Sequence, residues 1–141
     1  MNDPVNDDGT LRQPGSPAAG APPQPAPRHA APPARIVLGA PDAPTLVLLH
    51  GITASALSQA DAIGHWAAAG YRVIALDARG HGLSPRWTPA ELDRAGEQLV
   101  DDVVTVLTDL ADEARGRAAL GLPAAPPPVL VGHSMGAATA M

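Results

Sequence analysis

Three short apolar runs constrain this chain most: Thr45–Leu49, Tyr71–Leu76 and Val129–Val131. None alternates apolar with polar residues, which is the pattern of strands covered on both faces. Each run ends at a glycine-containing motif. The first is followed by His50-Gly51, the second by Asp77-Ala78-Arg79-Gly80-His81-Gly82-Leu83-Ser84, the third by Gly132-His133-Ser134-Met135-Gly136. A shorter run, Ile36–Leu38, is closed by Gly39, Pro41, Asp42 and Pro44 and reads as a strand entering a turn. Helical patterns fill the gaps. Residues 58–69 suit a helix with Ser58 and Asp61 as a capping pair, Ile63 and Trp66 on one face, and Gly70 at its end. A longer helix is predicted from Thr88, with Pro89 in the first helical position and Glu91 completing a capping box. Its apolar stripe is Leu92, Leu99, Val103, Val106 and Leu110, and Asp101, Asp102, Asp109 and Asp112 are assigned to a solvated face. Small residues after Gly136 predict the start of another helix.

Strands alternating with helices predict right-handed crossovers. The expected fold class is therefore α/β, a mostly parallel sheet with helices on both faces. Sites in such sheets lie beyond the carboxyl ends of the strands, where the three glycine motifs gather. Composition divides the 141 residues. Nine of the 17 prolines fall in the first 34, so residues 1–34 read as a disordered Pro/Ala-rich tail and residues 35–141 as the folded part. The absence of cysteine excludes a disulfide framework, thiolate metal sites and a Cys nucleophile. A net charge of −5 with scattered arginines argues against nucleic-acid binding. No apolar run approaches the ~18 residues of a membrane span. The acidic N-terminus is unlike a secretory signal, so a cytoplasmic location is the default expectation. The histidines are dispersed, with no pair at helical i, i+4 spacing, and no metal or cofactor is expected.

Gly132-His133-Ser134-Met135-Gly136 fits the G-x-S-x-G elbow, in which a sharp strand-to-helix turn lifts a serine above the sheet. If Ser134 attacks a carbonyl, the oxyanion needs two donors. The Met135 N–H is one, and Ile52, in the loop after the first buried strand, is the best-placed second. His50 reads as a structural histidine orienting that loop, and His133 as a packing residue rather than a base. Gly80-His81-Gly82 lacks a third glycine at Leu83, Ser84 or Pro85, which speaks against a dinucleotide loop.

In this order and spacing, the three motifs resemble the N-terminal half of an α/β-hydrolase-fold protein, over roughly residues 35–141. The resemblance implies Ser134 as nucleophile and the Ile52 and Met135 N–H groups as the oxyanion hole. It implies His50, Gly51, Gly132, His133 and Gly136 as supporting residues, with the Asp77–Ser84 loop bordering the pocket entrance. A small-molecule acyl substrate and no cofactor follow from it. Ser134 stands where dehalogenases and epoxide hydrolases of this fold carry Asp, so ester, thioester or amide hydrolysis through an acyl-enzyme is expected instead. The fold's acid and His follow the nucleophile along the chain. Only seven residues follow Ser134, and none is acidic or His. The expectation is thus an N-terminal fragment, inactive alone. The alternative is a short non-catalytic protein acting as a binding or interaction module.

Overall fold

The computed structural model describes residues 31–141, so most of the expected Pro-rich tail lies outside the described residues. Four strands form one sheet: β1 (Arg35–Leu38), β2 (Thr45–Leu49), β3 (Arg72–Leu76) and β4 (Val129–Gly132). Their order is β1-β3-β2-β4. β2 pairs in parallel with both β3 and β4, and β1 runs antiparallel to β3. The helices are α1 (Ala60–Ala68), α2 (Pro89–Leu92), α3 (Ala95–Ala119) and α4 (Met135–Thr139). Among the described residues, no helix is long and apolar enough to cross a membrane.

The unbroken apolar runs have a simple cause. Val47, Leu49, Ile74 and Leu76 point to one face, where Val103 and Val106 of α3 cover them. Leu48, Val73 and Ala75 point to the other, against Ala56 and Ile63. With a side-chain period of two, a sheet covered on both faces needs apolar residues at every position. Each fully buried Val, Leu or Ile contributes about 1.5–3 kcal/mol. The edge strand β4 is less enclosed than its apolar run predicts: Val129 is 58% exposed.

Two helix expectations need correction. Ser58 does not cap α1; its hydroxyl donates to the Ser55 carbonyl, and α1 starts after a short 3-10 turn over Leu57–Gln59. The predicted long helix is two helices. Arg94, at φ −126° and ψ 32°, takes the chain out of helical geometry between α2 and α3, and Leu92 is consequently exposed rather than part of the stripe.

The capping box at α2 does form. The Glu91 carboxylate accepts from the Thr88 N–H at 2.7 Å and the Thr88 hydroxyl at 2.8 Å. These bonds, with the nearby Arg79 charge, hold the Glu91 carboxyl below the usual carboxylate range. A depressed carboxyl pKa stabilises the fold above the unfolded value and loses that contribution as pH falls through the folded one. In a pH series of amide spectra, the Thr88 N–H resonance should therefore move with a midpoint below that of an ordinary glutamate. The Glu91→Gln variant should remove the transition.

Candidate active site

β2 is flanked by β3 on one side and β4 on the other. The chain leaving β2 enters α1 on one face, and the chain leaving β4 enters α4, which packs with α3 on the opposite face. The loops after β2 and β4 therefore diverge at a topological switch point, where the sheet opens a crevice.

Ser134 sits between β4 and α4 at φ 54° and ψ −117°, the one non-glycine residue with positive φ among the described residues. That conformation is strained for a residue with a Cβ. It is held because α4 folds back across the end of β2. A Cβ on Gly136 would collide with the Leu49 carbonyl, and one on Gly132 would lie 2.5 Å from the Gly136 carbonyl oxygen. Ser134 is exposed, and its hydroxyl does not cap α4.

The β2 loop lies against this turn. A Cβ on Gly51 would stand 3.0 Å from His133 Nδ1 and 3.4 Å from Ser134 Cβ. Among the described residues, neither the Ile52 N–H nor the Met135 N–H has a backbone partner. The neighbouring amides are engaged: Gly136 N–H donates to the His133 carbonyl at 3.0 Å and Ala137 N–H to the Ser134 carbonyl at 2.9 Å. Gly51 thus lies against Ser134 at the switch point, with Ile52 and Met135 next to them along the chain.

His50 is buried beneath them. Its Nε2 accepts from the Ala78 N–H at 2.9 Å, and its Nδ1 lies 2.7 Å from the Gly51 carbonyl. A backbone N–H can only donate, so Nε2 is unprotonated and Nδ1 carries the proton. Both ring nitrogens are engaged away from Ser134. His133 is exposed and its ring lies beside Gly51.

The loop after β3 braces the β2 loop. Asp77 is buried; one carboxylate oxygen accepts from the Ala56 N–H at 2.7 Å and the other from the Leu83 N–H at 2.9 Å. Ser84 donates its hydroxyl to the Asp77 carbonyl at 2.5 Å and accepts from the Ala34 N–H at 2.8 Å. Ala34 and buried Pro33, the end of the Pro-rich stretch, are held against the domain this way.

Arg79 anchors the loop from below, with its side chain 2% exposed. Its Nε and Nη2 donate to the two oxygens of Asp102 at 3.0 and 2.8 Å, and its Nη1 to Glu91 at 3.2 Å. The Asp102 carboxylate raises the Arg79 pKa above its ordinary value despite burial. Asp102 therefore does not belong to a solvated helix face, as its sequence pattern predicts; it is buried. A signal did exist, because Asp102 falls three residues after Leu99 and four before Val106, inside the apolar stripe.

A cavity of about 20 Å³ beside the switch point is lined by Pro33, His50, Leu76, Met135 and Gly136. That is about the room of one water molecule. A larger groove, about 290 Å³, lies at the opposite end of the sheet between Thr45, Arg72, Leu110, Glu113 and Pro126.

Residues 40–141 match the family described as serine aminopeptidase, S33. The chain belongs to this α/β-hydrolase family. Over 70 residues it is 44% identical to epoxide hydrolase B of Mycobacterium tuberculosis, covering 50% of this chain and 19% of that protein. Over 103 residues it is 33% identical to the AB hydrolase superfamily protein YfhM of Bacillus subtilis, covering 72% of this chain and 31% of the relative. Among solved structures, it resembles the thioesterase domain from the curacin biosynthetic pathway, with a TM-score of 0.57 at 30% identity over 73% of this chain and 31% of that one. Epoxide hydrolase A from Mycobacterium thermoresistibile gives a TM-score of 0.56 at 28% identity over 74% of this chain and 28% of that one. The chain thus spans about a third or less of the length of these relatives.

Proposed function

We propose that Ser134 is the nucleophile of a serine hydrolase acting on ester, thioester or amide bonds of a small-molecule acyl substrate. The observation that carries this reading is the strained Ser134 turn with Gly51 packed against it. Ser134 Oγ attacks the acyl carbon and loses its proton. The carbonyl oxygen becomes an oxyanion, received by the Ile52 and Met135 N–H groups. The alcohol, thiol or amine departs with a proton, and water then cleaves the acyl-enzyme. In this reading, residues 35–141 are the N-terminal half of an α/β-hydrolase domain preceded by the tail of residues 1–34.

Serine rather than carboxylate at this position favours acyl transfer over epoxide opening, the activity in the names of two of the relatives. A serine oxygen attacking an epoxide carbon forms an ether. An ether has no carbonyl for water to attack, so the enzyme would not be released. A carboxylate nucleophile forms an ester, which water can cleave.

No base is assigned among these residues. His50 is engaged at both nitrogens, and His81 Nε2 is bonded to the Ile52 carbonyl. Full turnover therefore draws on an acid and an imidazole beyond these 141 residues, and the chain alone is proposed to be inactive in turnover. Serine hydrolases stripped of a triad member keep about 10³–10⁴-fold acceleration over water from the oxyanion hole and binding. With free imidazole supplying the missing base, an alkyl fluorophosphonate should label the chain selectively at Ser134, as read by peptide mapping, and without imidazole the labelling should be far slower. Adducts scattered over several hydroxyls, or none on Ser134, would overturn the reading in favour of a non-catalytic interaction module.

A further inference from the structure

We infer that His81, acting with His50, is a positioning residue that holds the oxyanion-facing peptide of the β2 loop in one orientation. The inference rests on the reading of the Ile52 N–H as an oxyanion donor. Glycine suits position 51, because a Cβ there would crowd the His133 ring at 3.0 Å and touch Ser134 at 3.4 Å. The same missing Cβ leaves the Gly51–Ile52 peptide free to rotate. A half-turn would aim the Gly51 carbonyl, rather than the Ile52 N–H, at the space beside Ser134.

In a planar trans peptide, the C=O and N–H point in opposite directions. A bond that pins the Gly51 carbonyl therefore sets the Ile52 N–H. His50 Nδ1–H supplies that bond at 2.7 Å, and the Ala54 N–H adds another at 3.0 Å. The next peptide is pinned by His81, whose Nε2 lies 2.6 Å from the Ile52 carbonyl. A carbonyl only accepts, so His81 Nε2 carries a proton. The other nitrogen of His81 lies 3.2 Å from the Arg79 carbonyl oxygen, which also only accepts, so in a ring with its one proton on Nε2 that contact is not a hydrogen bond. The two rings meet edge to face, with centroids 5.0 Å apart and planes at 63°. Two successive peptides of the β2 loop are thus gripped by two mutually packed rings. Both rings are anchored on the β3 loop, His50 through the Ala78 N–H and His81 as a member of that loop.

The test compares the wild-type chain with His81→Ala, which removes the donor, and His81→Gln, whose amide can still reach the Ile52 carbonyl. In His81→Ala, the Ile52 carbonyl carbon resonance should move upfield as its bond is lost, and His81→Gln should restore most of the shift. Fluorophosphonate labelling of Ser134 should slow about tenfold in His81→Ala, the equivalent of about one net hydrogen bond. The loss should appear in the maximal inactivation rate with the probe's half-saturation unchanged, and His81→Gln should recover to within about threefold of wild type. A merely structural histidine would not separate those two constants. If His81→Ala does not fold, His81→Phe keeps a ring without a donor and takes its place. An unmoved Ile52 carbonyl resonance, or equal labelling rates in all variants, overturns the inference. If wild type is never labelled at Ser134, the nucleophile reading fails by itself, and the Ile52 resonance still decides whether the clamp exists.

Discussion

Arg79→Met is expected to lower the unfolding free energy by about 3–5 kcal/mol, measured by urea denaturation at neutral pH. The arginine is almost fully enclosed and shares both oxygens of Asp102. Removing it leaves a carboxylate 7% exposed, with only the Gln98 amide, among the described residues, still donating to it at 3.2 Å. The uncompensated charge, more than the lost attraction, sets the cost. A second substitution distinguishes the two. In Arg79→Met with Asp102→Leu, the buried charge is gone and apolar groups fill the space, so most of the lost stability should return. If the double variant is as unstable as Arg79→Met alone, the cost lies in the packing of the arginine stem instead. Arg79 also anchors the loop that holds Ala56 and His50, so the single variant should show faster amide exchange at Ala56 and Ala78.

Gly136→Ala should be nearly as damaging, at about 3 kcal/mol, although it adds one methyl group. The added carbon would collide with the Leu49 carbonyl oxygen and carbon, which are backbone atoms of the central strand and cannot rotate away. Overpacking of an enclosed site costs about 1–3 kcal/mol even where side chains can adjust. The upper end applies here because the backbone itself must move. Gly116→Ala provides the contrast. Nothing lies within 4 Å of a Cβ at that helical position, so the substitution should stabilise α3 by up to about 1 kcal/mol. Thermal unfolding of the two variants side by side tests the claim. A Gly136→Ala chain as stable as wild type would mean that α4 is not seated on β2 as described.

Much of the organisation was legible along the chain. The apolar runs at Thr45–Leu49 and Tyr71–Leu76 supplied the central parallel strands, because a sheet covered on both faces favours apolar residues beyond the first position of each strand. The elbow glycines were legible for the same local reason: only small residues fit where a strand reverses into a helix. The capping box at Thr88 and Glu91 formed because it needs residues only three apart. The errors arose where one local rule competed with another or met a distant partner. Ser58 had the spacing of a cap, but the Ser55 carbonyl was nearer to its hydroxyl. Asp102 looked like one carboxylate among several on a helix, and its role depends on an arginine 23 residues away.

The sequence alone therefore determined the fold class, the two-sided burial of its strands and the spacing of the Ser134 turn, since each depends on neighbours within one element or one turn. It also determined that Gly51 and Ile52 follow a buried strand. Only the tertiary structure decided what those residues face. Bringing Gly51 against Ser134, two histidines against successive carbonyls of one loop, and Arg79 onto Asp102 required β2, β3, β4 and α3 to be packed together. Hydrogen-bond partners and their directions belong to that assembled arrangement. No periodicity within a single segment encodes them.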